Sequence, residues 1–181
     1  MRQIIILISI SLLLTACMQS RYETMEIIGK ESQTKQVLIR GMGVMLPDGS
    51  IFTSAHVVRD DRLIYETDGV IYRVWERDTI GDRAILSQIP DLKSKIRDIV
   101  KNTNIIRVGD PIYTEVTRSG SIVRIAGKVV DPSGVVTGYD TTGRVMILSG
   151  IVLTDISLLP GDSGSPIFTH LGELIDVVHV R

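Results

Sequence analysis

The sequence has a single cysteine in 181 residues, and this scarcity excludes one class of fold. No intramolecular disulfide can form, so a small disulfide-stabilised scaffold is ruled out. Aromatic residues make up only 4% of the chain, which argues against the base-stacking surfaces of nucleic-acid binders. The 20 basic and 21 acidic residues are mixed along the sequence and give a formal net charge of −1. Without a block of one charge, binding to nucleic acid or to an anionic surface is disfavoured.

Histidine is also scarce, and its placement predicts no metal site. The three histidines, His56, His170 and His179, are scattered, and none forms the paired carboxylate–histidine spacing that is typical of zinc sites. We therefore expect neither a metal nor any other cofactor. Because the chain has only three histidines, one that lies within a recognisable motif is informative about function.

The apolar pattern predicts one all-β domain. Hydrophobic residues make up 44% of the 181 residues, enough for one sizeable core but not for two ordinary domains. From Val37 onward, short apolar runs are separated by turn signals such as Asp48-Gly49 and Ser119-Gly120, as in an antiparallel barrel or sandwich. Residues 91–105 are the exception, because apolar side chains recur there at helical spacing. A short helix and a packed loop both fit that segment.

The first 36 residues predict an export signal and a tether. The apolar run Ile4–Leu14 follows an early basic residue and is too short to span a bilayer comfortably, so residues 1–16 are interpreted as a signal peptide. Leu14-Thr15-Ala16-Cys17 resembles a bacterial lipobox, which implies lipidation of Cys17. The polar residues that follow predict a tether over residues 17–36, with a short ordered piece at Met25–Ile28 as an open alternative. The resemblance implies the cell envelope and, if the host is Gram-negative, the periplasmic face of the outer membrane, because Asp does not follow the cysteine. An ordinary signal peptide and a short membrane anchor remain alternatives.

One stretch near the end of the chain indicates acyl-transfer chemistry. The segment Leu159–Pro166 combines proline, glycine and a carboxylate around Ser163, and such a composition suits a tight turn more than a strand or a helix. A turn of this kind can present one hydroxyl while it aims backbone N–H groups at a common point. An acyl-transfer enzyme needs both a nucleophile and donors for the oxyanion. Ser163 is therefore the candidate nucleophile.

A serine nucleophile needs a base and a carboxylate, and the chain supplies candidates for both. His56 follows an apolar run, and Asp82 precedes another. Asp60, Asp61 and Asp78 are competitors for the role of the carboxylate. The chain order His, Asp, Ser is that of chymotrypsin-type enzymes, and it differs from the order in subtilisins and α/β-hydrolases.

These blocks together resemble the trypsin-like serine peptidases of the chymotrypsin fold, most closely the HtrA/Deg branch but without a PDZ domain. The matching blocks are Gly41-Met42-Gly43-Val44, Pro47-Asp48-Gly49, Ile51-Phe52-Thr53, His56-Val57-Val58, Asp82-Arg83-Ala84-Ile85-Leu86, Arg107-Val108-Gly109-Asp110 and Leu159–Pro166. The resemblance implies an all-β fold of two antiparallel barrels of the six-stranded type, in a peptidase domain over residues 37–181. The second barrel is expected to be incomplete toward Arg181.

The resemblance implies a role for each residue of the site. Ser163 attacks the peptide carbonyl, His56 acts as general base and then as general acid, and Asp82 orients His56. The match over Asp82–Leu86 favours Asp82 over its competitors. The backbone N–H groups of Gly161 and Ser163, with that of Asp162 between them, are expected to form the oxyanion hole.

Two further expectations concern neighbouring residues. Ser157 stands where trypsins carry the residue that sets the charge of the primary pocket, and Ser157 and His179 are the candidate pocket residues. With no carboxylate at that position, a small or medium apolar side chain is the expected preference. Arg83 departs from the family, which has an apolar residue there. Because side chains alternate along a strand, Arg83 should point opposite to Asp82 and is expected outside.

The sequence therefore predicts a lipid-anchored serine endopeptidase of the cell envelope, with a protein or peptide substrate and no nucleic-acid partner. The alternative is a catalytically impaired binding or regulatory lipoprotein that keeps the protease fold. A lipase or esterase is disfavoured, because Gly161-x-Ser163-x-Ser165 departs from the nucleophile elbow and the order of the triad differs.

Overall fold

The computed structural model describes residues 22–89, 95–100, 105–139 and 145–179, and almost all of its regular structure is β. Within these ranges the strands are β1 (Glu23–Glu31), β2 (Val37–Met45), β3 (Ile51–Ser54), β4 (Leu63–Thr67), β5 (Val70–Asp78), β6 (Arg83–Ser87), β7 (Pro111–Arg118), β8 (Ser121–Tyr139), β9 (Val145–Thr154), β10 (Pro166–Thr169) and β11 (Leu174–Val177). A turn of 3-10 helix spans Ala55–Val58, and the short helix α1 spans Ile96–Val100. None of the described helices is long and apolar enough to cross a membrane.

The first six strands close into an antiparallel barrel in the order β1-β2-β3-β6-β5-β4. Successive side chains of a strand point to opposite faces, so every second residue is directed into the barrel. Met25, Ile27, Ile51 and Leu86 are buried in this interior together with Val57 from the 3-10 turn. Strands β3 and β6 are buried along their whole length, because the second half of the molecule covers their outer face.

Strand β1 corrects the expectation that residues 17–36 form a tether. It pairs with β2 along its length and with β4 through Ile28–Glu31, and thereby closes the barrel. Its buried Met25 and Ile27 alternate with the exposed Glu26, a period of two that the surrounding polar residues obscured in the sequence. The folded domain therefore begins before Val37.

The remaining strands form a second antiparallel sheet in the order β11-β10-β7-β8-β9. The long strand β8 pairs with β7 through its first part and with β9 through its second, with irregular register between Val129 and Val135. The predicted all-β architecture with two antiparallel halves is thus confirmed. Among the described residues one half is a closed barrel and the other is a five-stranded sheet.

An apolar cluster joins the two halves and positions the candidate site. Val44, Phe52 and Ile85 from the barrel pack against Phe168 and Leu174 from the second sheet. Fully burying a side chain of this size stabilises a fold by roughly 2 kcal/mol, so the cluster holds the halves firmly together. The segments that follow β3, precede β6 and precede β10 consequently lie close to this interface.

Candidate active site

His56 and Asp82 form a hydrogen-bonded pair at the ends of two adjacent strands. His56 lies in the 3-10 turn directly after β3, and Asp82 lies directly before β6, which pairs with β3. His56 Nδ1 is 2.7 Å from Asp82 Oδ2, and the His56 backbone N–H donates to Asp82 Oδ1 at 2.9 Å. Both carboxylate oxygens thus bind the same residue, which fixes the imidazole ring and directs Nε2 away from the carboxylate.

The backbone around Asp82 explains why this aspartate reaches His56 and its competitors do not. Asp82 has a φ of +50°, in the left-handed region that aspartate tolerates better than most residues. The Asp78 side chain accepts the two backbone N–H groups that precede this bend and so shapes the turn. Asp60 and Asp61 each pair with an arginine outside the site.

The loop that carries Ser163 begins with a tight turn over Leu159–Asp162. The Asp162 N–H donates to Leu159 O at 3.0 Å, and Gly161 has a φ of +98°. Proline at the second position and a glycine with positive φ at the third are the features of a type II β-turn. The central peptide of such a turn is flipped relative to a type I turn, and this flip sets the direction of the Gly161 N–H. Apart from its two chain neighbours, no atom of the described residues lies within 4 Å of the place where a Cβ of Gly161 would stand, so this side of the loop is open to the described part of the chain.

This turn corrects one of the predicted oxyanion donors. The N–H of Asp162 is bound to Leu159 O within the turn, so it is not available to a substrate oxygen. The N–H groups of Gly161 and Ser163 remain the candidates, as in a two-donor oxyanion hole.

Backbone hydrogen bonds hold the nucleophile loop between the two halves of the fold. The Met42 N–H in β2 donates to Ser163 O at 2.7 Å, and the Gly164 N–H donates to Val178 O at 2.9 Å. Gly164 has a φ of +87°, and a methyl group there would overlap the carbonyl of Met42, so only glycine fits. Ser163 is buried, with 7% of its surface exposed, and Gly41, the residue before Met42, lies against both Ser163 O and Val57 beside His56.

A charged pair holds the same loop from the opposite side. The Arg118 guanidinium, at the end of β7, binds both carboxylate oxygens of Asp162, with Nη2 2.6 Å from Oδ2. Asp162 Oδ2 also accepts the Leu159 N–H at 2.8 Å, so the side chain braces the turn that it ends. Burial raises the pKa of Asp162, but the hydrogen bonds from Arg118 and Leu159 outweigh it, and the pKa lies below its usual value. Asp162 is therefore a charged structural element of the loop.

Asp82 has a second histidine beside it. His179 Nδ1 lies 3.4 Å from Asp82 Oδ2, the oxygen that also binds His56. Burial raises the pKa of Asp82, but hydrogen bonds from His179 and His56 hold it well below the usual range, so the carboxylate is ionised. The sequence placed His179 in a specificity pocket with Ser157. The structure instead buries His179 against the carboxylate and leaves Ser157 exposed in the irregular segment after β9.

Arg83 lies inside the protein, contrary to the sequence-based expectation. It is 4% exposed, and its Nε and Nη2 bind the two carboxylate oxygens of Asp176 in β11 at 2.8 and 2.7 Å. The alternation of side chains holds, since Arg83 lies on the same side of β6 as Ile85. That side faces the second sheet and not solvent. The error lay in taking the face opposite Asp82 for a surface.

Two residues of the site were not found from the sequence. A buried aspartate before Ser163 indicates that a cation should lie nearby, yet Arg118 stands 44 positions away. Asp176 lies 93 positions from Arg83, and its sequence context carries no signal of that pairing. The signal segment and Cys17 lie outside the described residues, so their assignment stays a prediction.

Solved protease structures have the same fold. The crystal structure of the Rv3671c protease from M. tuberculosis in its active form has a TM-score of 0.59 and 16% identity, over 91% of this chain and 71% of that one. The crystal structure of Deg5 has a TM-score of 0.57 and 19% identity, over 85% of this chain and 77% of that one. No family model and no curated protein matches the sequence. At these identities the likeness shows the chymotrypsin-like fold.

Proposed function

We propose that the chain is a serine endopeptidase with His56, Asp82 and Ser163 as its triad. The observation that carries the proposal is the 2.7 Å bond from His56 Nδ1 to the buried, ionised Asp82, beside a loop that presents Ser163. The fold shared with solved serine proteases supports it. Asp82 accepts a hydrogen bond from the Nδ1–H of His56, which keeps His56 in the tautomer whose Nε2 can take a proton from a hydroxyl.

The reaction would proceed through an acyl-enzyme. Ser163 Oγ attacks the peptide carbonyl carbon while its proton passes to His56 Nε2. The carbonyl oxygen becomes an oxyanion, which the N–H groups of Gly161 and Ser163 would stabilise. The tetrahedral intermediate collapses as the C–N bond breaks, and His56 gives its proton to the leaving amine. Water then attacks the ester by the same steps and releases Ser163.

The test is labelling of the full-length chain with a fluorophosphonate, which reacts with activated serines. We expect labelling of the wild-type chain and none of Ser163→Ala or His56→Ala. Ser133→Ala removes an exposed serine of β8, and His170→Gln changes an exposed histidine, so both serve as matched controls that should label normally. A folded wild-type chain that does not label would refute the endopeptidase and favour a binding module with the protease fold.

We further propose that a lipid on Cys17 anchors this peptidase in the cell envelope. The support is the Leu14-Thr15-Ala16-Cys17 sequence and the absence of any second cysteine in the chain. After expression in a Gram-negative host, the wild-type protein should partition into detergent and Cys17→Ser into the aqueous phase. Equal partitioning of the two proteins would exclude the lipid anchor.

A further inference from the structure

The buried His179 contacts Asp82 of the proposed triad, but the mechanism proposed above gives it no role. Its side chain is 4% exposed, and its Nδ1 lies 3.4 Å from Asp82 Oδ2. His56 Nδ1 binds the same oxygen at 2.7 Å. The two imidazole nitrogens are therefore no more than about 6 Å apart, a range over which one charge strongly affects another.

The other side of the His179 ring faces a second buried carboxylate. His179 Nε2 is 3.6 Å from Asp176 Oδ1, an ion-pair distance. Asp176 is fully buried, and it accepts hydrogen bonds from Arg83 Nε and Nη2 and from the Val152 N–H at 3.1 Å. Burial raises the pKa of Asp176, but Arg83 and His179 outweigh it and keep the carboxylate ionised.

The acceptors that face the His179 ring favour a proton on each of its two nitrogens. The Ser54 hydroxyl, 3.5 Å from Nδ1, donates its own proton to Val178 O, so it offers only lone pairs to the ring. Nδ1 thus faces Ser54 and Asp82, which are acceptors, and Nε2 faces Asp176. A neutral imidazole would direct a lone pair at one of these carboxylates. An imidazolium instead donates from Nδ1 to Asp82 and holds Nε2 at ion-pair distance from Asp176, although Nε2 makes no hydrogen bond among the described residues.

The local charges agree with this assignment. The buried groups around His179 are Asp82, Asp176 and Arg83, and Asp78 lies 3.9 Å from Arg83 near the surface. With His179 protonated, the two buried carboxylates are balanced by two buried cations. With His179 neutral, one carboxylate would lack its counter-charge, which is costly in a buried site. Burial lowers the pKa of His179, but Asp176 and Asp82 raise it to about 9.

We propose that His179 is a positioning residue of the triad, a buried imidazolium that shares the Asp82 carboxylate with His56. The role rests on the proposed function. A fixed positive charge beside Asp82 opposes a second positive charge on His56 and so favours the neutral, base form of His56. At the same time His179 contacts the same Asp82 oxygen that His56 binds, and it links Asp82 to β11 through Asp176.

The first experiment measures the charge directly, by NMR of the imidazole nitrogens in Ser163→Ala, with His170→Gln and His56→Gln added in turn to assign the signals. We expect His179 to give imidazolium shifts at pH 7 and to keep its proton until the pH approaches about 9. A neutral His179 at pH 7 would overturn the proposal. This measurement does not depend on activity.

The second experiment compares the rate of fluorophosphonate labelling against pH for the wild type, His179→Gln and the control His170→Gln. Glutamine keeps a hydrogen-bonding side chain but removes the charge. We expect the acid limb of the His179→Gln profile to move up by about one pH unit, since an opposing charge has been lost. The His170→Gln profile should match that of the wild type. A folded His179→Gln protein with an unchanged acid limb would show that the residue has only a packing role.

The two proposals fail in different ways. A wild-type chain that labels at no pH overturns the serine endopeptidase and with it the positioning role. If the wild type labels well and His179→Gln leaves the acid limb of the labelling profile unchanged, the endopeptidase proposal stands and only the positioning role is rejected.

Discussion

Two arginine–aspartate pairs flank the triad, and they differ chiefly in their contact with water. Arg83 follows Asp82 in sequence and binds Asp176, with side-chain exposures of 5% and 0%. Arg118 binds Asp162, the residue before Ser163, and the Arg118 side chain is 32% exposed. Each arginine contacts both oxygens of its carboxylate. The chemistry of the two pairs is alike, and their surroundings are not.

The difference separates what holds the fold from what shapes the site. The Arg83–Asp176 pair crosses between the barrel and the second sheet, and a third bond from Arg83 Nη2 to Gly150 O, at 2.6 Å, extends it. Removal of one partner would strand a buried charge. In the Arg118–Asp162 pair the aspartate is buried but the arginine is partly solvated, so the pair contributes less to global stability than Arg83–Asp176. Its effect is local, on the turn that directs the Gly161 N–H.

The largest expected effect comes from Arg83→Met, which leaves Asp176 buried without its main counter-charge. We expect the free energy of unfolding to fall by about 3–5 kcal/mol, measured by urea denaturation. The double variant Arg83→Met/Asp176→Leu should recover a large part of this loss, because it removes the stranded charge as well. A single variant as stable as the wild type would show that this pair does not join the halves.

The pH dependence of stability tests the same buried cluster. The folded pKa of His179, about 9, lies above its unfolded value of 6.5. Its stabilisation is therefore fully present below pH 6.5 and is lost as the pH rises through 9. The loss should be on the order of 3 kcal/mol in the wild type and in His170→Gln. His179→Gln should lack this alkaline decline, and an equal decline in all three proteins would contradict the assignment.

Arg118→Ala should show the opposite balance between stability and activity. We expect the free energy of unfolding to fall by about 1–3 kcal/mol, less than in Arg83→Met, because Asp162 is buried but its lost partner was partly solvated. The rate of fluorophosphonate labelling should fall by roughly tenfold or more, since one displaced oxyanion donor is typically worth about 3 kcal/mol of barrier. Arg118→Lys keeps the charge but not the two-pronged contact, and its labelling rate should lie between those of the wild type and Arg118→Ala. Normal labelling of a folded Arg118→Ala protein would show that the Arg118–Asp162 pair does not set the geometry of the loop.

The sequence predicted those parts of the molecule that depend on short-range pattern. Short apolar runs between Gly-containing turns predicted the antiparallel all-β fold, and local motifs placed His56, Asp82 and Ser163 on the segments that the structure brings together. Strand β1 was missed because its apolar period is short and lies among polar residues. A burial pattern that arises only when β1 meets β2 and β4 has no local signature.

The errors at the site have a common physical origin. The face of β6 that carries Arg83 was taken for a surface because nothing local shows that a second sheet covers it. The availability of the Asp162 N–H depended on a turn type that is evident only from the φ of Gly161. Pairs such as Arg118 with Asp162 are set by how the two halves dock, and the chain does not encode that docking in neighbouring residues.

The closure of the barrel by β1 has a practical consequence for anyone who prepares this protein. The resemblance to known peptidases begins at Val37, and a truncation at that boundary would seem natural. Such a product would lose the partner of both β2 and β4 and would expose two unpaired strand edges. Edges of this kind recruit other chains and lead to aggregation. A soluble expression product therefore needs the residues from Tyr22 onward, fifteen of which precede Val37.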